Sequence, residues 1–188
     1  LWQAEYRFSP PLHLSVNLSA RQLQDPALVP EVGKLLDRSG LDATELVIEI
    51  TESVLMEEPE PAIERLRSLK ALGVRLAIDD FGTGYSSLSY LRRFPVDVLK
   101  IDKEFVAALL TGPEDAALAH AIVRLAHTLR LGTVAEGIET PEQLAELSRL
   151  GCELGQGYLF ARPLCSADMA DMLHSARQRG SLLPAAHS

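Results

Sequence analysis

The chain has 188 residues, 47% of them hydrophobic, and a net charge of −8 at neutral pH. That length fits one domain with a full core, the acidic balance excludes wrapping a nucleic-acid duplex, and no apolar run approaches the ~18 residues of a membrane span. Leu1 opens the chain without the basic, apolar, small-residue pattern of an export signal, so a cytoplasmic bacterial domain is the expectation.

In chain order, the first strand pattern is Leu12–Leu18, followed by a helix start at Asp25-Pro26 and a glycine stop at Gly40. A second run, Glu45–Ile50, leads into the acidic stretch Glu57–Glu64, whose Pro59 and Pro61 mark a solvated helix start where acids favour the dipole. Gly73 then precedes Val74–Asp79, and Asp97–Ile101 is the fourth run. Leu118, Ile122, Leu125 and Leu129 recur at helical spacing before the fifth run, Gly132–Glu136. Thr140-Pro141-Glu142-Gln143 is a capping box with proline at the first helical position. Gly151 ends that helix, a weaker strand follows at Cys152–Phe160, and Ser166 starts the last helix. Gly40, Gly73, Gly132 and Gly151 sit where left-handed helix caps belong. Residues 179–188 have little to bury and are expected to fray as a tail behind one domain over 1–178. Cys152 and Cys165 are too few and too far apart for a disulfide framework or metal knuckle, and both are expected to be reduced and buried.

Strands alternating with helices specify parallel βαβ units with right-handed crossovers. An open doubly wound sheet and a closed barrel both use them, and strand parity favours the barrel. In Leu12–Leu18 the even positions are apolar and the odd positions His13, Ser15 and Asn17 are polar. Glu45, Val47 and Glu49 oppose Leu46, Ile48 and Ile50, while Arg75, Ala77 and Asp79 oppose Val74, Leu76 and Ile78. A central strand of an open sheet should be apolar on both faces. A barrel strand can turn its apolar face out to the helices and aim polar side chains into the mouth. The reading is therefore a (β/α)8 TIM-barrel-like α/β fold with about six βα units in this chain. Two units are wanting from the usual eight, so an N-terminal portion is expected upstream, with Leu1–Glu5 as the end of its helix.

The strand ends read Asn17, Glu49, Asp79-Asp80, Lys100, Glu136 and Gln156. Catalytic groups of such barrels occupy those ends. Any one of them has a plainer reading: Asp79-Asp80 as a turn and helix cap, Lys100 as a surface lysine, Asn17 as a turn residue. Gln156 is the least supported, since Gly155 and Gly157 flank it. Together, carboxylates meeting in one mouth repel and raise one another's pKa, and divalent cations relieve that. All-oxygen ligands suit Mg²⁺, Mn²⁺ or Ca²⁺, and an adjacent Asp pair can bridge two ions ~4 Å apart, the arrangement of phosphoester hydrolysis. Glu49, Asp79, Asp80 and Glu136 supply four negative charges against four positive ones on two divalent ions, leaving Lys100 for a substrate phosphate. The five histidines form no ligand spacing, and His120 and His127 read as a polar helix face.

The segments Val16-Asn17-Leu18-Ser19-Ala20-Arg21-Gln22, Glu49-Ile50-Thr51-Glu52-Ser53, Asp79-Asp80-Phe81-Gly82-Thr83-Gly84-Tyr85-Ser86-Ser87-Leu88, Leu99-Lys100-Ile101-Asp102, Ala135-Glu136-Gly137-Ile138-Glu139-Thr140 and Gly155-Gln156-Gly157-Tyr158 resemble the EAL-domain family of cyclic-di-GMP phosphodiesterases. The match runs from about Leu14 to Pro163. The resemblance implies a (β/α)8-type barrel in which Asn17, Glu49, Asp79, Asp80 and Glu136 bind two Mg²⁺ or Mn²⁺ ions, with Asp79 between them. Lys100 would orient or help activate the attacking water, and Gln156 would hold the same neighbourhood. Glu52 and the loop Asp80–Ser87, with Gly82 and Gly84 as hinges, match a mobile loop that in relatives couples the metal site to dimerisation. The implied reaction opens one phosphodiester of cyclic di-GMP by in-line attack of water, giving linear pGpG. A homodimer fused to or regulated by sensory or diguanylate-cyclase-like modules is the implied setting. Tyr158 and Phe160 would either stack on guanine or pack in the core.

The Glu-Ala-Leu segment that names the family is expected upstream of Leu1, because Ala4-Glu5-Tyr6 is not that motif. One metal ligand and the upstream substrate contacts go with it. Two other functions use the same residues: a catalytically inactive receptor that binds cyclic di-GMP and acts through protein contacts, and another divalent-metal barrel enzyme.

Overall fold

The computed structural model describes residues 11–83 and 88–179. The expected helix end at Leu1–Glu5, part of the Asp80–Ser87 loop and all of the tail beyond Arg179 lie outside them. Six strands form one sheet: β1 (Leu14–Asn17), β2 (Leu46–Thr51), β3 (Arg75–Phe81), β4 (Val98–Ile101), β5 (Gly132–Ala135) and β6 (Leu154–Gly155). All neighbours are parallel and the spatial order is the chain order. Helices make the crossovers, α1 (Ala20–Gln24), α2 (Leu28–Ser39), α3 (Glu52–Glu57), α4 (Pro59–Ala71), α5 (Leu88–Leu91), α6 (Lys103–Ala108), α7 (Pro113–Leu129) and α8 (Pro141–Leu150), and α9 (Ser166–Arg179) follows the last strand. This is the α/β barrel progression, six strands of it, as the strand pattern predicts.

Each strand falls within or beside its expected run, and parity explains the packing. Ile48, Ile50, Leu76, Ile78, Leu99 and Ile101 face outward into a core shared with Leu55 and Leu66 of the helices. Val47, Ala77 and Val98, with Val134 against them, form a separate inner cluster that floors the barrel. β1 is the exception: Leu14 and Val16 are 54% and 47% exposed, so its apolar face is not packed under helices as expected.

Local chemistry sets the helix ends. Ser19 with Gln22, and Thr140 with Gln143, close reciprocal capping boxes on α1 and α8. Asp25 caps the turn before α2 rather than the helix itself, its Oδ1 accepting the Ala27 N–H at 2.8 Å, and the helix begins at Leu28. Gly40 ends α2 in the left-handed conformation, φ 65°. After α7 that cap is Arg130, φ 60°, rather than Gly132, which opens β5. The buried stripe of α7 is Ala119, Ile122, Val123 and Ala126, so Leu118, expected inside, is 49% exposed. His120 and His127 link helices instead of forming a solvated face: Nε2 of the first lies 3.1 Å from Glu146, and Nε2 of the second 3.1 Å from the Gly151 carbonyl. Both cysteines are free, but only Cys152 is shielded, its thiol pKa raised by burial, and Cys165 is exposed.

At the entry to β4, Asp97 stitches three strands and a helix. Its carboxylate accepts Lys70 Nζ at 2.8 and 2.9 Å and the Leu76 N–H at 2.8 Å. Its own N–H donates to Leu76 O, and its carbonyl accepts the Gly132 N–H. Among the described residues no helix is long and apolar enough to cross a membrane.

Candidate active site

The inner face of the sheet changes character two residues beyond its floor. Val47 is followed by Glu49, Ala77 by Asp79, Val98 by Lys100 and Val134 by Glu136. A two-residue period keeps each pair on one face, so an apolar layer is capped by a charged one. Lys100 Nζ lies 2.7 Å from Glu49, 2.8 Å from Asp79 and 2.5 Å from Glu136. Burial alone would push the Lys100 ammonium down, but hydrogen bonds to Asp79, Glu136 and Glu49 together outweigh it and hold its pKa above the ordinary lysine value. Burial pushes Glu136 up, Lys100 opposes that, and the nearby Asp79 and Glu49 add to it.

Asp79 and Asp80 could not both reach one mouth from a regular strand, because consecutive side chains point to opposite faces. A bulge resolves this. Between Ile78 and Phe81 β3 advances three residues while β4 advances two, from Leu99 to Ile101. Asp80 takes φ 52°, a left-handed conformation that Asp tolerates better than most residues. As a result Asp79, Asp80 and Glu136 present oxygens within 4.8 Å of one another. Three hard oxygen donors at that spacing fit a divalent cation such as Mg²⁺, Mn²⁺ or Ca²⁺. Asp80 is pushed up by burial, then by Asp79 and Asp102.

Asp102 is the residue that sequence reasoning missed. It caps α6, its Oδ1 accepting the Glu104 N–H at 2.7 Å, and it lies close enough to Asp80 to help push that carboxyl up. The available signal was its parity with Val98 and Lys100 at a strand end.

The remaining expected residues divide. Asn17 is level with Glu49 in the β1–β2 register but exposed, with no bond to the carboxylates. Gln156 joins the cluster, its Nε2 donating to Glu136 Oε1 at 2.9 Å. It is placed there by a close backbone crossing: Ile138 N–H donates to Gln156 O, and Leu159 N–H to Ile138 O. Gly157 lies inside that crossing, where a Cβ would stand 2.2 Å from the nitrogen and oxygen of Ile138. Glu52 lies outside the mouth. It is 2% exposed at the start of α3, and its Oε2 accepts the Gly82 N–H at 2.8 Å, so it anchors the segment following Asp80.

Beside Glu136 and Gln156 a cleft of about 1030 Å³ opens, lined among others by Lys103, Tyr158, Phe160 and Arg162. The two aromatics separate here. Phe160 packs against the core, whereas Tyr158 is 57% exposed, with the Arg162 guanidinium 5.0 Å from its ring centre.

The family model described as EAL domain matches residues 1–163. The cyclic di-GMP phosphodiesterase NbdA of Pseudomonas aeruginosa is 48% identical over 166 residues, 88% of this chain and 21% of that protein. A solved structure of the PaMucR phosphodiesterase in a c-di-GMP complex superposes with TM-score 0.80 at 45% identity, covering 84% of this chain and 64% of that one. Klebsiella pneumoniae BlrP1, in a manganese and cyclic-di-GMP complex, superposes with TM-score 0.74 at 36% identity, covering 80% of this chain and 39% of that one. The chain spans about a fifth of the length of the curated relatives it matches, 21% of NbdA for instance.

Proposed function

Because this chain belongs to the EAL domain family, we propose that it is a metal-dependent phosphodiesterase domain that hydrolyses cyclic di-GMP to linear pGpG. The observation that carries the reading is the charged layer itself: Glu49, Asp79 and Glu136 around Lys100, with Asp80 turned in beside them and Glu136 lining an open cleft. In this reading Asn17, Glu49, Asp79, Asp80 and Glu136 are the residues that would hold two Mg²⁺ or Mn²⁺ ions. Bound cations would polarise the scissile phosphate and acidify a water. Lys100 orients that water or a phosphate oxygen, and Gln156 fixes Glu136 through its 2.9 Å bond. Glu52 acts at one remove, holding Gly82 so that Asp80 keeps its inward turn. The exposed ring of Tyr158 offers a stacking face for guanine. A cytoplasmic setting, a homodimer and fusion to sensory or diguanylate-cyclase-like modules belong to the same proposal.

The test is chromatographic. The intact protein with Mn²⁺ should convert cyclic di-GMP to pGpG, and Asp79→Asn should stop it. A protein that binds no Mn²⁺ and leaves the nucleotide intact refutes the proposal. Tight nucleotide binding without turnover at saturating Mn²⁺ would replace it with a receptor role.

A further inference from the structure

Three carboxylates converge on one ammonium in a nearly closed space. The Lys100 side chain is 6% exposed, and those of its partners Glu49, Asp79 and Glu136 are 10%, 13% and 16% exposed. Buried like charges at such separations repel unless a cation stands among them. Here that cation is part of the chain. β4 delivers it from below, since Lys100 continues the inward parity of Val98, which closes the barrel floor. Asp80 is outside these three ion pairs. Two of the three carboxylates that Lys100 contacts, Asp79 and Glu136, also belong to the oxygen cluster that would suit a divalent cation.

We propose that Lys100 is the resident counter-ion of this site: without metal it holds Glu49, Asp79 and Glu136 in a preformed cage, and metal enters by exchange, the ammonium yielding carboxylate contacts to the incoming ion. The inference rests on the reading that the site takes metal. It has two consequences of opposite sign. Removing the ammonium while keeping the side chain's length loosens the metal-free protein, because nothing then offsets the repulsion. The same change tightens metal binding, because the ion no longer competes with a tethered charge.

The experiment uses the intact protein and Lys100→Met, with Mn²⁺ alone as the probe, followed by titration calorimetry and by thermal melting with and without metal. The variant should melt lower than wild type in chelator, bind Mn²⁺ about tenfold more tightly or better, and show the larger Mn²⁺-induced rise in melting temperature. A lysine that only supports the fold predicts weaker Mn²⁺ binding in the variant, and weaker or equal binding overturns the inference. If Lys100→Met does not fold without metal, Lys100→Arg decides. It keeps the charge, so it should fold in chelator and bind Mn²⁺ no more tightly than wild type, and tighter binding there overturns the inference. Wild type that binds no Mn²⁺ removes the proposed function together with the inference. Wild type that binds it, beside an unimproved Lys100→Met, removes the inference alone.

Discussion

Two lysines meet carboxylates at the two ends of β4, and they do so differently. At the entry, Lys70 and Asp97 are matched one to one, with about a third of each side chain in water, and the Asp97 carboxylate is also satisfied by the Leu76 amide. At the exit, a single buried ammonium serves Glu49, Asp79 and Glu136. The first arrangement is complete and offers a ligand nothing. The second has more acid than base, in a place where charge is expensive, and only something brought from outside can complete it. Ion pairs that finish themselves belong to architecture, and those left unbalanced mark chemistry.

Substitutions at the two ends should therefore separate activity from stability. Asp79→Asn should lower turnover of cyclic di-GMP about 10³-fold or more while the melting temperature stays near wild type, and a steady-state assay beside a melt checks both. Glu52→Ala removes the anchor on Gly82 without touching the mouth, so it should weaken Mn²⁺ affinity or turnover about 10- to 100-fold, the range for groups that support ligands. Calorimetry and kinetics on one preparation measure this. Asp97→Ala should do the reverse of Asp79→Asn. The part-buried ion pair itself contributes about 1 kcal/mol, but the abandoned Leu76 amide brings the loss to about 1–3 kcal/mol in denaturant unfolding, with turnover per folded molecule unchanged. A clear loss of turnover there would merge the two ends that the comparison separates.

The smallest effect is on pH. Burial and neighbouring acids raise Asp80 and Glu136 in the folded, metal-free protein. The folded state then holds protons more tightly than the unfolded one, so this contribution to stability is complete below the ordinary carboxylate range and fades as pH rises through the elevated values. In chelator, wild type should lose melting temperature relative to Asp80→Asn as pH rises above the ordinary carboxylate range. Parallel curves would show that Asp80 titrates normally.

Much of this was legible beforehand because barrel strands are written with a period of two. Glu49, Asp79 and Lys100 share the parity of Val47, Ala77 and Val98, and alternation alone puts them on the inner face. What alternation could not supply was the break in alternation. The bulge between Ile78 and Phe81 and the left-handed Asp80 bring two consecutive acids to one place, and neither leaves a mark in hydrophobic patterning. Asp102 was hidden for a related reason, since a helix cap and a site carboxyl look the same in sequence. The exposure of Leu14, Val16 and Leu118 depends on which neighbours cover them, a tertiary fact that local spacing does not contain.

The crossing at Ile138 sets how freely this chain can drift. Gly40 and Gly157 both have positive φ, yet around Gly40 a Cβ would meet nothing within 4 Å. There asparagine or even alanine costs only the backbone preference, roughly 1 kcal/mol. At Gly157 a single methyl would have to occupy the space of another residue's peptide group. A saturation library should therefore tolerate many letters at position 40 and one at position 157, so two glycines that look alike to a substitution matrix would evolve under opposite rules.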